Sequence, residues 1–301
     1  MFFKLFNTAK FNKLKKIALL LLALLLLSSQ LPHLITWFVP LSNQGKVHSQ
    51  LYLPAAASAD NPAPLLVFLG GSEGGMNLTN DRNAAERQAY LDAGFALLVV
   101  GYFGLPGIPS GLDRIELGGV LDAIEHTRSN PAINAEKLSV LGVSKGAELA
   151  LLLASRSTQI STVVAVVASD VVFGSPEWYS TSSSWSWQGQ AITFVPFNLH
   201  SALALMQGNI RQGYEIALQN QQAYQQALIP VQRMQADVLL VSGTADELWP
   251  SSEMSDRIIQ RLQQHQYPYQ YQHLKIAGGG HSGLVRQYQS EIIAFLATSQ
   301  R

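Results

Sequence analysis

Ser144 lies between Gly142 and Gly146, where a short strand-forming run passes into a helix-forming run. A serine on so sharp a turn adopts a strained backbone conformation, and flanking glycines remove the side chains that would collide there. Its hydroxyl is then exposed, as in a nucleophile elbow. The five-residue pattern is weak alone, and a serine that only caps the helix is the alternative. The spacing therefore predicts a candidate nucleophile that needs partners.

A serine hydroxyl needs a base to take its proton and an acid to orient that base. Asp246 follows an apolar strand-forming run, and His281 follows three glycines after the last such run. The carboxyl ends of parallel strands meet at one edge of a sheet, so both side chains are expected near Ser144. The chain order Ser144, Asp246, His281 is the order found in α/β-hydrolases. These residues form the predicted catalytic triad.

Other residues could fill two of these roles. Glu247 adjoins Asp246 and is the alternative acid, but Asp246 is preferred for its position in a Gly-x-x-Asp sequence. The remaining histidines considered lie in predicted helices, strands, the insertion or polar runs and are expected to be structural: His48, His126, His200, His265 and His273.

Acyl transfer also needs donors for an oxyanion, usually two backbone N–H groups. Lys145, directly after the serine, is predicted to supply one, and Gly71 or Ser72 in the glycine loop after Leu69 the other. The Lys145 side chain is expected to be a solvated surface group. No residue spacing resembles a metal cage or a phosphate-binding loop, so we expect no metal and no cofactor.

From residue 46 onward, short apolar strands alternate with helical stretches, which predicts an α/β fold. We expect a mostly parallel central sheet with helices on both faces. Strands are expected at 47–53, 65–69, 95–100, before Ser144, and at 162–168, 237–243 and 267–276. Helices are expected at 82–93, 113–128, 147–154 and 251–263, and a last helix is expected between Gly283 and about residue 297.

The alternation lapses at about residues 170–236, a span too long for an ordinary connection. We interpret it as an inserted lid, with Trp178, Trp185 and Trp187 as candidate substrate-contacting residues. A surface excursion with no role in substrate binding is the alternative.

Residues 1–45 are predicted to be a signal peptide or an uncleaved signal anchor, and residues 46–301 the folded domain. The first sixteen residues hold five lysines and no acid, and the eleven residues 17–27 are all apolar. This order is typical of a secretory signal, although no small-x-small cleavage site follows. Continued to residue 39, the apolar stretch is long enough to span a bilayer. Either interpretation places the folded domain outside the cytoplasm.

Net charge argues against a nucleic-acid partner. The whole chain is formally neutral, but without the five N-terminal lysines it holds 15 basic and 20 acidic residues. A basic surface is the usual footprint of nucleic-acid binding. The chain has no cysteine, which excludes disulfides and a cysteine nucleophile.

The similarity to one known family extends beyond the three candidate residues. It is carried by the segments 68–75 (FLGGSEGG), 101–104 (GYFG), 142–150 (GVSKGAELA), 195–198 (VPFN) and 229–231 (IPV). Over about residues 50–297 the chain resembles the C-terminal catalytic domain of the acyl-CoA thioesterase and bile acid-CoA:amino acid N-acyltransferase family. The resemblance implies an α/β-hydrolase acting on activated acyl groups, with Ser144 as nucleophile, Asp246 as acid and His281 as base.

Two differences from that family affect the activity that we expect for this chain. Its thioesterases and acyltransferases carry a β-sandwich domain before the catalytic one, for which residues 1–45 offer no room. Its acyltransferases resemble enzymes with a cysteine nucleophile, whereas this chain has Ser144 at that position. The serine therefore favours hydrolysis over acyl transfer to an amine. We expect a serine hydrolase of acyl thioesters or esters that is either exported or anchored to a membrane by the N-terminal segment. The alternatives are an acyltransferase or peptidase, or an inert scaffold that binds an acyl ligand.

Overall fold

The computed structural model describes residues 16–17, 41–177 and 181–299. In this part of the chain, seven strands form one sheet: β1 His48–Tyr52, β2 Ala63–Leu69, β3 Ala96–Gly101, β5 Ile133–Val143, β6 Thr162–Val166, β9 Asp237–Gly243 and β10 Tyr271–Ile276. Their order across the sheet is β1-β3-β2-β5-β6-β9-β10. Only the β1–β3 pair of this sheet is antiparallel.

A smaller sheet joins β4 Ile115–Glu116 to β7 Trp185–Trp187 and β8 Gln190–Ala191. The described α-helices are α1 Ala84–Asp92, α2 Leu117–Arg128, α3 Lys145–Ala154, α4 Leu199–Met206, α5 Ile210–Leu218, α6 Gln221–Gln226, α7 Ser251–Gln264, α8 Leu284–Gln287 and α9 Gln289–Thr298. Short 3₁₀ turns lie at Asn77–Thr79, Asp81–Asn83 and Val231–Arg233.

Helices cover both faces of the sheet. On one face, α2, α3 and α7 pack against one apolar cluster through residues such as Ile124, Leu149 and Ile258. On the other face, α1 and α9 pack through Tyr90 and Ile292. Central strands buried on both sides have continuous apolar sequences, which is why they could be located from the sequence. The predicted α/β architecture is confirmed.

Two predicted elements have different bounds. The helix expected from residue 113 begins at Leu117, because Ile115 and Glu116 instead pair with β7. The strand expected from Tyr267 begins at Tyr271, and the Tyr267 hydroxyl instead donates a 2.7 Å hydrogen bond to the Ala236 carbonyl. Both changes depend on partners distant in sequence, which local patterns do not reveal.

The turn at Ser144 has the strained geometry expected of an elbow, with φ 56° and ψ −119°. Its N–H donates to the Val166 carbonyl at 2.9 Å, which ties the turn to β6. A Cβ on Gly142 would lie 2.1 Å from the Gly146 carbonyl oxygen. A Cβ on Gly146 would lie 2.1 Å from the Gly70 carbonyl oxygen. Both glycines are therefore required by backbone contacts.

The insertion at residues 170–236 folds into β7, β8 and the helices α4 to α6, and it contacts a buried ion pair within α3. Lys145 Nζ lies 2.7 Å from Glu148 Oε1, and both side chains are buried. Trp185 Nε1–H donates to the same oxygen at 2.6 Å, and the Phe173 N–H donates to it at 3.4 Å. The expectation of a solvated Lys145 side chain was wrong, because the insertion covers it.

Burial dominates the electrostatics of this pair. It lowers the pKa of Lys145, an effect opposed by the charge and hydrogen bond of Glu148. It raises the pKa of Glu148, opposed by Lys145 and by the Trp185 and Phe173 donors. Glu148 Oε2 has no hydrogen-bond partner in the described chain. Removing one member of such a pair would leave an uncompensated buried charge, so the two residues depend on each other.

Two of the three tryptophans predicted to contact substrate, Trp185 and Trp187, lie among the described residues. Trp185 is fully buried, with its ring centroid 5.6 Å from that of Tyr102. Trp187 packs beside the Arg156 guanidinium, which lies 6.0 Å from its ring centroid. β7 pairs with β4 and both side chains pack against protein, and their predicted contact with substrate stays a prediction. Trp178 lies outside the described residues.

The predicted N-terminal signal or anchor also lies almost wholly outside the described residues. Of the helices that the structure describes, none has the length and apolar character needed to cross a bilayer. The division into residues 1–45 and 46–301 stays a prediction.

Replacing Gly146 by alanine tests the elbow. We expect Gly146→Ala to lower the free energy of unfolding by about 3 kcal/mol, because its methyl group overlaps backbone that cannot move aside cheaply. Gly118 is the matched control, since it is likewise the second residue of its helix and a Cβ added there would lie 3.6 Å from the nearest atom. Gly118→Ala should be neutral or stabilising by about 1 kcal/mol in the same denaturant titration. Equal effects of the two substitutions would contradict the steric argument.

Candidate active site

Three polar side chains predicted to meet at the carboxyl edge of the sheet form one hydrogen-bonded chain. His281 Nε2 lies 2.9 Å from Ser144 Oγ. His281 Nδ1 lies 2.9 Å from each carboxylate oxygen of Asp246. The residues come from three loops: after β5 for Ser144, after β9 for Asp246 and after β10 for His281. With Nδ1–H donated to the acid, Nε2 can accept the serine proton.

Asp246 is held as a carboxylate. Burial alone would raise its pKa, but the hydrogen bond and charge of His281 and further donors hold the pKa below its ordinary value. Ser251 donates its hydroxyl to Oδ2 at 2.5 Å, and the Leu248 N–H donates to Oδ1 at 2.9 Å. Because these donors occupy both oxygens, the carboxylate has a fixed orientation toward the imidazole.

The alternative acid, Glu247, contacts the same histidine differently. Its Oε2 accepts the His281 backbone N–H at 3.0 Å, so it holds the loop and does not touch the ring. The Asp246 backbone carbonyl accepts from Arg211 Nη1 at 2.9 Å. Arg211 belongs to α5, so the insertion also supports the acid loop. No local sequence pattern signals this contact, because its two residues are 35 positions apart.

The predicted oxyanion donors lie beside the serine. A Cβ on Gly71 would stand 3.2 Å from Ser144 Cβ, so the backbone here approaches the hydroxyl closely. The Lys145 N–H is the first of α3, where helix N–H groups have no partner within the helix. Tyr102 fixes the loop: its hydroxyl lies 2.5 Å from the Gly70 carbonyl oxygen and 3.0 Å from that of Gly71. Ser72 is exposed and lines the adjoining cavity.

A cavity of about 540 Å³ opens at Ser144 and His281. Most of its apolar lining belongs to the cluster on the α1 and α9 face of the sheet: Phe68, Leu78, Val143, Val166, Leu284 and Val285, with Leu248 in addition. Its polar lining includes Glu73, Asn77, Asn83, Glu86 and Arg286. Arg286 is paired, at 3.4 Å to Glu86 and 2.9 Å to Asn83. A space of this size with an apolar wall suits a short acyl chain beside a reactive carbonyl.

A second Ser-His-Asp chain shows why hydrogen bonding alone does not make a catalytic site. Ser242 Oγ lies 2.7 Å from His273 Nε2, and His273 Nδ1 lies 3.1 Å from Asp256 Oδ1. Ser242 is fully buried within β9, so its hydroxyl is not presented on an exposed turn as that of Ser144 is. Burial lowers the pKa of His273. The hydrogen bond between Ser242 and His273 links β9 to β10.

The other histidines considered from sequence do not reach Ser144. His48 Nε2 lies 2.8 Å from the Pro106 carbonyl oxygen on the surface, and His126 lies in the last turn of α2. His200 is exposed on α4, and His265 ends α7. Among the described residues, no group of three or more His, Cys, Asp or Glu side chains could hold a metal ion.

Solved structures share this fold at low sequence identity. A puromycin-hydrolysing peptidase of Mycobacterium tuberculosis matches 87% of this chain and 39% of its own, with a TM-score of 0.60 and 17% identity. The α/β-hydrolase GrgF of Penicillium sp. sh18 matches 84% of this chain and 99% of its own, with a TM-score of 0.54 and 15% identity. At such identities these likenesses show the fold alone, and the fold is that of the α/β-hydrolases.

Sequence relatives agree with the resemblance drawn from the motifs. The mouse (Mus musculus) acyl-coenzyme A thioesterase 1 is 27% identical over 224 residues, which cover 74% of this chain and 48% of that protein. The chain thus spans about half the length of the curated relatives it matches. Residues 120–283, more than half of the chain, match the family described as BAAT / acyl-CoA thioester hydrolase C terminal. This match includes Ser144, Asp246 and His281, and the chain belongs to that family.

Proposed function

We propose that this protein is a serine hydrolase that cleaves acyl thioesters or esters through Ser144, His281 and Asp246. The observation that carries the proposal is the continuous hydrogen-bond chain from the Asp246 carboxylate through His281 to the Ser144 hydroxyl, at the mouth of a partly apolar cavity. The named activity of the thioesterase relatives supports the same reaction class.

Acylation follows from this geometry. Ser144 Oγ attacks the acyl carbonyl while His281 Nε2 takes the hydroxyl proton, and Asp246 stabilises the imidazolium that forms. The N–H groups of Lys145 and of Gly71 or Ser72 donate to the developing oxyanion. When the tetrahedral intermediate collapses, the bond to the leaving group breaks. His281 then gives its proton to the departing thiol or alcohol.

Deacylation repeats the sequence with water. His281 removes a proton from a water molecule, whose oxygen attacks the acyl-Ser144 carbonyl. The second tetrahedral intermediate releases the carboxylic acid, and the proton returns from His281 to Ser144 Oγ. The elbow matters here because its strained turn keeps Oγ accessible to both acyl donor and water.

A fluorophosphonate probe tests the nucleophile, since it reacts covalently with activated serines. The native chain should be labelled, and Ser144→Ala should lose labelling. Ser242→Ala is the matched control, because Ser242 also bonds a histidine but is buried and should contribute no labelling. Equal labelling of Ser144→Ala and the native chain, measured by intact mass, would refute Ser144 as the nucleophile.

Substitutions of the neighbouring Asp246 and Glu247 test which carboxylate orients His281 and which one only supports its loop. Asp246→Asn should lower kcat by about 10⁴-fold, the scale expected when the acid that orients the base is lost. Glu247→Gln should lower it by less than about tenfold, because the amide oxygen can still accept the His281 N–H. Steady-state hydrolysis of a short acyl thioester measures both. A larger loss in Glu247→Gln than in Asp246→Asn would make Glu247 the acid.

We also propose that the N-terminal segment places the folded domain outside the cytoplasm, either as an uncleaved membrane anchor or as a cleaved signal peptide. The support is the order of five lysines and eleven apolar residues in the sequence. N-terminal sequencing of the mature protein is expected to read residues 1–45 if the anchor is uncleaved and to begin after residue 27 if it is a signal peptide. A soluble chain that keeps its N-terminus would contradict both forms.

A further inference from the structure

The outer side of the α4–α5 hairpin carries a stripe of large apolar side chains. Leu199 is 65% exposed, Leu203 46%, Met206 84% and Ile210 38%. Leu199, Leu203 and Met206 are spaced four and three residues apart and share one side of α4, and Ile210 begins α5 after the turn at Gly208. The opposite side of α4 is packed, with Ser201 and Ala204 buried. These four residues, here called the α4 stripe, are therefore an apolar surface that the described chain leaves uncovered.

The α4 stripe lies in a segment without formal charge. From Trp178 to Ile210 the sequence contains no Asp, Glu, Lys or Arg. Moving a charged side chain from water into an apolar phase is costly, whereas leucine and methionine gain from that transfer. The first charge after the stripe, Arg211, turns back into the protein, with its guanidinium bound to Glu215, Glu253 and the Asp246 carbonyl. The surface could be desolvated without burying an unpaired charge.

Hydrogen bonds connect the insertion that carries the α4 stripe to the candidate site and to the segment that leads into β1. Arg211 links α5 to the backbone of Asp246 at 2.9 Å. At the other end of the insertion, the Gln44 carbonyl accepts the Glu116 N–H at 2.9 Å, and Glu116 accepts from the Ser186 hydroxyl at 3.0 Å. The chain therefore enters the folded domain beside the same insertion that carries the stripe.

We propose that the α4 stripe docks onto the surface of a lipid bilayer. The bilayer is favoured as the occupant because the sequence ahead of this entry point contains eleven consecutive apolar residues preceded by five lysines. A domain tethered there would present the adjacent insertion to lipid. The interaction is hydrophobic, since the segment is uncharged. Docking rests on the anchored form of the proposed N-terminal segment and not on catalysis, so it can fail while the proposed hydrolase activity stands.

A fluorophore placed on the α4 stripe tests the docking. The chain has no cysteine, so Met206→Cys gives one labelling site for the environment-sensitive dye NBD. The control is Leu53→Cys, since Leu53 is also an exposed apolar residue. It directly follows Tyr52, which pairs with Leu97 near the start of β3, and so lies away from the carboxyl edge of the sheet. Both full-length proteins are reconstituted into phosphatidylcholine vesicles with or without brominated acyl chains.

Bromine quenches only dyes that reach the acyl chains. We expect brominated lipid to reduce emission at position 206 by at least about half and at position 53 by less than about a tenth, as for a helix side buried 5–10 Å deep. Emission at 206 that is shifted to the blue but not quenched would show that protein covers the stripe, either a second copy or another segment of this chain. That result, an unshifted dye, or equal quenching at both positions would each overturn the proposal.

A charge within the α4 stripe provides a second test in the same labelled chain. Leu203→Glu, combined with the dye at position 206, should reduce the quenching at least threefold, because a carboxylate is expensive to bring into the acyl region. Leu53→Glu, combined with the same dye, should leave the quenching unchanged. Circular dichroism confirms that each variant folds. Undiminished quenching in Leu203→Glu would also overturn docking through this stripe.

Discussion

The close backbone contact between the start of α3 and the end of β2 is the constraint on which the site depends. Gly146 lies against the Leu69 and Gly70 carbonyls at a distance that excludes any side chain. That contact holds Ser144 in its strained conformation and brings the Gly70–Gly71 loop beside it. The proposed nucleophile and the proposed oxyanion donors are thus positioned together by one packing interaction. The cost of the strain at Ser144 is offset by the buried sheet around it.

Most of the sheet and the three candidate residues could be predicted because their signals are local. Buried parallel strands have apolar sequences, and Ser144, Asp246 and His281 follow such runs directly. The order of strands in the sheet and the pairing of β4 with β7 join residues far apart in sequence, so no window of sequence shows them. For the same reason the helix expected at residue 113 starts four residues later.

The Lys145–Glu148 pair was not predicted, because its burial is created by the insertion. Lysine and glutamate three residues apart on a helix ordinarily face solvent. Here Trp185 and Phe173 close over them and donate to Glu148. The insertion therefore contacts the site machinery at two places: next to the elbow through Glu148, and at the acid loop through Arg211. These contacts make the insertion a structural support of the candidate site, and its predicted role as a lid stays a prediction.

Catalysis by the proposed route requires an acyl group to pass through Ser144. Rapid mixing with a thioester in excess, followed by acid quenching and peptide mass spectrometry, measures this transfer. We expect a mass increase equal to the acyl group on the peptide that contains Ser144, formed before steady-state turnover and absent in Ser144→Ala. Turnover without any acylated intermediate, or acylation of another residue while Ser144→Ala remains active, would contradict the proposed route.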